Sequence, residues 1–192
     1  MTLLHNIART LQRRRNITWH ALGYDTKVRV ETAADYSAVA QITETAFNNT
    51  AEVQLITQLR QHSSDCLSLV AEQHAKLVGH IMFSPATLEN AQTVKLMALA
   101  PMAVSNVLQH QGIGSALVRA GLELCHQRGI DAVVVLGQPA YYPRFGFKPA
   151  SRFNISGPWQ VADNSFMLLE LKPGALKGKS GRVQYHPAFA AL

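Results

Sequence analysis

The chain has 192 residues, 47% of them hydrophobic and 16% charged, with a formal net charge of +6; this allows one domain with a sizeable core and excludes two ordinary ones. No apolar run approaches the ~18 residues of a membrane-spanning helix, and no secretory leader pattern is present, so a soluble, cytoplasmic protein without a membrane partner is expected. Two distant cysteines, Cys66 and Cys125, give no disulfide framework, and the scattered histidines lack the spacing of a metal site.

Much of the positive charge lies at the ends, in Arg9, Arg13, Arg14 and Arg15 and again in Lys172, Lys177, Lys179 and Arg182. Such charge favours anions in general, but solvation is its ordinary role, and nucleic acid is not the expected partner. Residues 1–26 read as a basic N-terminal extension. Leu3, Leu4, Ile7 and Leu11 could form one stripe of a short helix opposite the arginines, until Gly23, Tyr24 and Asp25 break the pattern. A flexible arm, a docking helix and an organellar targeting peptide all fit its composition, the last weakened by the lack of serines.

The predicted domain spans residues 27–171. Val28 and Val30 alternate as a strand, and Thr32-Ala33-Ala34-Asp35 has capping-box spacing, opening a helix that would bury Tyr36, Val39, Ile42 and Phe47. A second short helix follows from Ala51 to Gln61, with Glu52 in its first turn, where a carboxylate complements the helix dipole. Leu67 to Ala71 and Leu77 to Phe83 then form an antiparallel pair across Gln73, His74 and Ala75, with Gly79 permitting a bulge or a close approach. Pro85 is expected to end that strand, and Thr87 to Gln92 to be a connection. Thr93 to Val104 reads as a longer strand that bends or parts from a neighbour near Pro101, since proline cannot donate to a ladder.

The stretch from Met102 to Arg128 holds the most informative pattern. Ile113, Ala116, Leu117, Ala120 and Leu124 recur at helical spacing, and the turn before them reads Gln109-His110-Gln111-Gly112-Ile113-Gly114-Ser115. Two glycines at a helix mouth let backbone approach a ligand, and the unpaired N–H groups there favour a phosphate or pyrophosphate. The same glycines could instead serve a tight turn and a close helix–sheet contact. Leu117 stands where a dinucleotide fingerprint needs a third glycine, and no Gly-Lys-Ser/Thr is present, which excludes the two commonest phosphate motifs. Gly129 stops the helix, and Ala132-Val133-Val134-Val135-Leu136 is a buried strand, parallel to the one before the helix. An aromatic run, Tyr141-Tyr142-Pro143-Arg144-Phe145-Gly146-Phe147, and a last strand, Phe166 to Leu171, complete a mixed α/β domain. Residues 172–192 read as a basic C-terminal tail, packed on the domain or on a partner subunit.

Three motifs in this order, Leu99 to Val104, Gln109-x-x-Gly112-x-Gly114, and Tyr142-Pro143-Arg144-Phe145-Gly146-Phe147, resemble the GNAT superfamily of acyl-CoA-dependent N-acetyltransferases. The resemblance implies a mostly antiparallel central sheet with a splayed parallel strand pair and flanking helices. It implies acetyl-CoA as cosubstrate, with its pyrophosphate held by Gln109, His110, Gln111, Gly112, Ile113, Gly114 and Ser115 and its pantetheine paired to the backbone of Met102, Ala103 and Val104. No metal is required. The reaction implied is direct attack of a neutral primary amine, from a small molecule or a peptide, on the thioester. Tyr142 aligns with the tyrosine that protonates the departing thiolate, and Tyr141 reads as a wall aromatic. Thr93 to Val104 contains no acidic residue where the family often places its base, which leaves Glu52 as the candidate and Glu89 behind it. The missing base also motivates a second reading, an acyl-CoA-binding module that engages RNA or an acidic protein without efficient catalysis. Dimerisation is common in the family, so a homodimer is one expected arrangement.

Overall fold

The computed structural model describes residues 26–191; residues 1–25 of the basic extension lie outside them. Strand β1 (Lys27–Val30) leads through a 3-10 turn into α1 (Tyr36–Phe47) and then α2 (Ala51–His62). The capping spacing at Thr32 works as expected, because Asp35 Oδ2 accepts from the Thr32 N–H and hydroxyl, each at 2.8 Å. Arg29 adds a two-pronged grip, its guanidinium donating to both Asp35 oxygens at 2.7 and 2.8 Å. That guanidinium holds the Asp35 carboxyl well below the usual carboxylate range. Along α1 the inward stripe is Val39 and Thr43, whereas Tyr36 and Phe47, expected inside, remain exposed. Periodicity did not register that the Arg60 guanidinium lies 4.0 Å over the Tyr36 ring and covers it from outside.

The sheet follows the order β1-β2-β3-β4-β5-β8-β6, with β2 (Leu67–Gln73), β3 (Lys76–Leu88), β4 (Leu96–Val104), β5 (Ala132–Leu136), β6 (Lys148–Pro149) and β8 (Phe166–Glu170). All these neighbours are antiparallel except β4 and β5. Helix α3 (Ile113–Gln127) crosses between that parallel pair, and Gly129, with φ of 71°, follows its last turn. Pro85 does not end β3. Strand β2 stops opposite Phe83 and β9 (Gly181–Gln184) pairs only from Thr87, so at Pro85 one edge of β3 has no strand partner and a missing N–H is tolerated. Thr87 and Leu88, expected in a connection, therefore belong to β3 and bind the C-terminal segment. Strand β7 (Ile155–Ser156) pairs with the other edge of β9.

Alternation along the strands divides the core between the two faces of the sheet. Ile81, Phe83, Met97 and Leu99 pack with Leu117 and Val118 of α3 on one face. Met82 faces the other way, with Val39, Leu55, Ile56 and Leu59 of α1 and α2 and with Ala188 and Phe189 near the C-terminus. Gly121 fixes the first contact, since a Cβ there would lie 2.2 Å from the Phe83 ring. Gly79 permits close approach, as expected, but to α3: a Cβ would meet Leu117 Cδ1 at 3.0 Å.

A buried polar group sits beneath the α1 and α2 face. His80 of β3 is 0% exposed; its Nε2 shares a 2.8 Å hydrogen bond with Ser68 Oγ and lies 3.8 Å from Glu31, which also binds Arg60. Burial, with Arg60 adding to it, lowers the imidazole pKa to about 3. Between that value and the ordinary ~6.5 the unfolded chain binds a proton that the folded chain refuses, so stability must fall as pH drops below about 6.5. Urea midpoints measured from pH 7 to pH 4 should decline for the native chain and flatten for His80→Gln. An equally steep decline in that variant would assign the acid sensitivity elsewhere.

Candidate active site

Strands β4 and β5 are held together by three residue pairs, Leu96 with Ala132, Met97 with Val133 and Ala98 with Val134. Beyond Ala98, β4 stays with β3 while β5 turns to β8 alone. The β3–β4 register slips at this point: Phe83 faces Leu99, but Ile81 faces Met102, and the intervening Ala100–Pro101 peptide is cis. The β5-facing edge of Met102, Ala103 and Val104 therefore carries main-chain groups without a strand partner, a requirement for any ligand that binds by strand-like pairing.

The open edge runs into the helix mouth. Gln109 reaches back, its side-chain amide donating to Val104 C=O at 3.3 Å and to Asn106 Oδ1 at 3.0 Å, which ties the turn to the end of β4. Gly112 is the N-cap at φ of 87°, and a Cβ there would meet nothing within 4 Å. The first helical bond of α3 runs from Ala116 N–H to Gly112 C=O at 2.9 Å, so the N–H groups of Ile113, Gly114 and Ser115 have no main-chain acceptor. With no side chain on the cap, these donors and the helix dipole face open space, which suits an anion.

Gly114 serves a second purpose that the spacing did not reveal. A Cβ at Gly114 would lie 2.8 Å from the Tyr141 hydroxyl and 3.7 Å from both Met102 Cε and Val104 Cγ2. Tyr141 is thus the phenol at the helix mouth. Burial pushes its pKa up, opposed by a hydrogen bond with Ser115 and by Arg144 and Arg119. These two guanidiniums lie against the Tyr141 and Phe145 rings, 4.7 and 5.4 Å from the centroids, and add positive potential beside the uncapped turn. Arg119 was not singled out from sequence; its position in the second turn of α3 was the available signal.

Tyr142 is placed differently. It is 8% exposed and belongs to the core cluster on the α3 face, with edge-on contacts to Tyr141 at 5.1 Å and Phe147 at 5.6 Å. Its ring lies against Gly137, the residue after β5, where the two parallel strands have already parted. Burial, with the neighbouring Tyr141 adding to it, pushes the phenol well above the ordinary tyrosine value, so its proton is retained throughout the neutral range. Glu52 stands on the opposite face of the sheet, on the α2 stripe that also carries Leu55, Ile56 and Leu59. It lies in the first turn of α2, as expected, and its Oε2 is buried without a hydrogen-bond partner. Glu89 lies exposed on the β3–β4 turn, at the paired end of β4 and away from the opening. Among the described residues no three His, Cys, Asp or Glu side chains gather as a metal site would require, and no helix is long and apolar enough to cross a membrane. A separate cavity of 460 Å³, lined by Arg152, Lys177 and Lys179 among others, lies by β8 and the C-terminal segment.

Residues 35–147, which include α1, the opened β4, the uncapped turn and Tyr142, match the Acetyltransferase (GNAT) family. The chain belongs to the GNAT family. It is 32% identical over 163 residues to the uncharacterized N-acetyltransferase YhbS of Escherichia coli, across 84% of this chain and 97% of that one. The crystal structure of YhbS from Escherichia coli in complex with CoA superposes with a TM-score of 0.81 at 30% identity, over 92% of both chains. A GNAT family acetyltransferase from Brucella melitensis in complex with acetyl-CoA gives 0.71 at 33% identity, over 85% of this chain and 97% of that one. The mostly antiparallel sheet with its parallel β4–β5 pair is the GNAT arrangement expected from the motifs.

A direct check of the Tyr142 seat comes from Gly137. A Cβ there would stand 2.3 Å from the Tyr142 ring, and neither backbone nor ring can yield freely. Gly137→Ala should lower stability in urea by about 2 kcal/mol, the usual cost of overpacking; an unchanged midpoint would show that the ring is not seated there.

Proposed function

We propose that this GNAT protein transfers acetyl from acetyl-CoA to a primary amine. The observation that carries the reading is the continuity of two open main-chain surfaces: the unpaired edge of β4 from Met102 to Val104, and the uncapped N–H groups of α3 reached through the Gln109 turn. The first is suited to pair with the amides of pantetheine, the second to bind a pyrophosphate, and the open space over Gly112 leaves room for it. Acetyl-CoA supplies an acyl group activated as a thioester.

The chain's own residues divide the proton chemistry between the two faces of the sheet. Tyr142, on the α3 face, holds a proton on its phenol for the departing thiolate. A backbone N–H on the open β4 edge stabilises negative charge on the carbonyl oxygen. Glu52, on the α1 and α2 face, takes the proton that an ammonium must lose before it can attack; no protein donor engages its Oε2. Met102, Ala103 and Val104, with the turn from Gln109 to Ser115, hold the coenzyme; Arg119 and Arg144 favour its phosphates electrostatically.

The test is thiol release from acetyl-CoA against a panel of primary amines, with the product identified by mass. Tyr142→Phe should lower kcat by about 100-fold, the scale of a lost general acid, while the dissociation constant of coenzyme A is retained. Unchanged turnover would remove Tyr142 from the chemistry, and tight coenzyme binding with no transfer to any amine would favour a binding module.

A further inference from the structure

The basic stretch that follows β8 is folded into successive turns, each closed by a main-chain bond. Ala175 N–H donates to Lys172 C=O at 3.1 Å, Lys177 to Gly174 at 3.1 Å, Lys179 to Leu176 at 3.0 Å and Gly181 to Asn154 at 3.1 Å. Gly174 and Gly178 take φ of 81° and 70°, a left-handed backbone that other residues adopt at a cost, so the glycines set the course of the loop. Leu176 anchors it. Its side chain is 5% exposed, in the cluster that holds Ile155, Leu168 and Val183, and its N–H donates to Glu170 Oε1 at 2.8 Å.

This loop and the 3-10 turn Ala150–Phe153 border the 460 Å³ cavity. Arg152, Lys177 and Lys179 line it, and among the described residues none of the three makes an ion pair. The N–H of Gly178, also in the lining, donates to no main-chain acceptor among the described residues. Like charges gathered on one concave wall focus a positive field, and an anion relieves their repulsion. The cavity is separate from the opening between the parallel strands: Glu170 pairs with Ala132, and Ala132 with Leu96, at the closed end, whereas the strands part only beyond Ala98.

We propose that this cavity is a second ligand site, for a small hydroxylated phosphomonoester of the sugar-phosphate class. Its volume lies in the ~300–1,000 Å³ range of sites for small organic molecules, so it accommodates more than a bare ion. The two lysines and the arginine suit a phosphate dianion, the guanidinium through two parallel hydrogen bonds. Glu170 and Asn154 in the same lining can accept from hydroxyl groups on the attached body, a role that an inorganic polyanion would leave unused, and the half-buried Phe153 gives that body an apolar wall. Because the turns already fix the loop, little ordering remains to oppose binding. The inference does not depend on the acetyltransferase reading, and none of these residues belongs to the coenzyme surface.

The experiment is calorimetric titration of the full chain, with and without saturating coenzyme A, using ribose 5-phosphate, ribose and inorganic phosphate in a phosphate-free buffer. Ribose 5-phosphate should bind in both states, inorganic phosphate more weakly, and ribose not at all. Lys177→Ala and Arg152→Ala remove exposed side chains, so the urea midpoint should not move. Each should weaken ribose 5-phosphate on the order of ten-fold, as expected for one charge-assisted hydrogen bond, with the dissociation constant of coenzyme A unchanged. Absence of ribose 5-phosphate binding, an affinity that neither variant alters, loss of binding when coenzyme A is present, or inorganic phosphate binding as tightly as the ester would each overturn the proposal. A single-stranded RNA oligomer that displaces ribose 5-phosphate and binds more tightly through the same two side chains, with a steep salt dependence, would reassign the cavity to nucleic acid.

Discussion

Everything at the opening depends on how briefly β4 and β5 stay together. Three pairs join them, and their separation is reinforced from both sides. On one side β4 follows β3 through the register slip around Pro101; on the other β5 is drawn along five pairs by β8, while the Tyr142 ring occupies the space against Gly137. A sheet seldom leaves an inner edge unpaired, because exposed main-chain donors and acceptors lose their partners. Here the unpaired edge ends at a helix N-terminus that is also unpaired, and the two deficits form one continuous surface.

The two faces of the sheet carry different chemistry because they are covered by different things. On one face α3 presses so closely against β3 that Gly121 has no room for a side chain beside Phe83, and the result is an apolar cluster in which the Tyr142 phenol keeps its proton. On the other face α1, α2 and the C-terminal segment meet over β3 and β4, and the α2 stripe there carries the Glu52 carboxylate. Tyr142 and the α2 stripe that carries Glu52 thus stand on opposite faces of the sheet. The proposed direct transfer would use that separation, with the thiolate leaving on one side and the amine arriving from the other.

The elements defined by local signals were legible in the sequence. The helical period from Ile113, the capping pair Thr32 and Asp35, the Val-rich β5 and the glycine at 129 each specify a neighbour only a few residues away, and the fold places them as read. Features set by distant partners were not legible. Pro85 continues a strand because β2 ends opposite Phe83, and β9 forms from a glycine-rich basic stretch because β3 offers it an edge 97 residues earlier at Thr87. Tyr36 falls on the apolar stripe by spacing, yet it stays exposed with Arg60 of another helix over one face of its ring. At the site, Gly112 served the turn as expected, whereas the reason for Gly114 lies in the Tyr141 hydroxyl, whose arrival no spacing encodes. Glu52 could be chosen from sequence, but that its buried Oε2 lacks a hydrogen-bond partner emerges only in the folded chain.

The most direct test of the central claim, that the parted strand and the uncapped helix form one coenzyme surface, is an amide-resolved NMR titration of the full chain with coenzyme A. The account predicts the largest shifts at the N–H groups of Met102, Ala103 and Val104 and of Ile113, Gly114 and Ser115, saturating together. Shifts centred instead on the basic cavity at Arg152, Lys177 and Lys179, with the β4 edge unchanged, would contradict it.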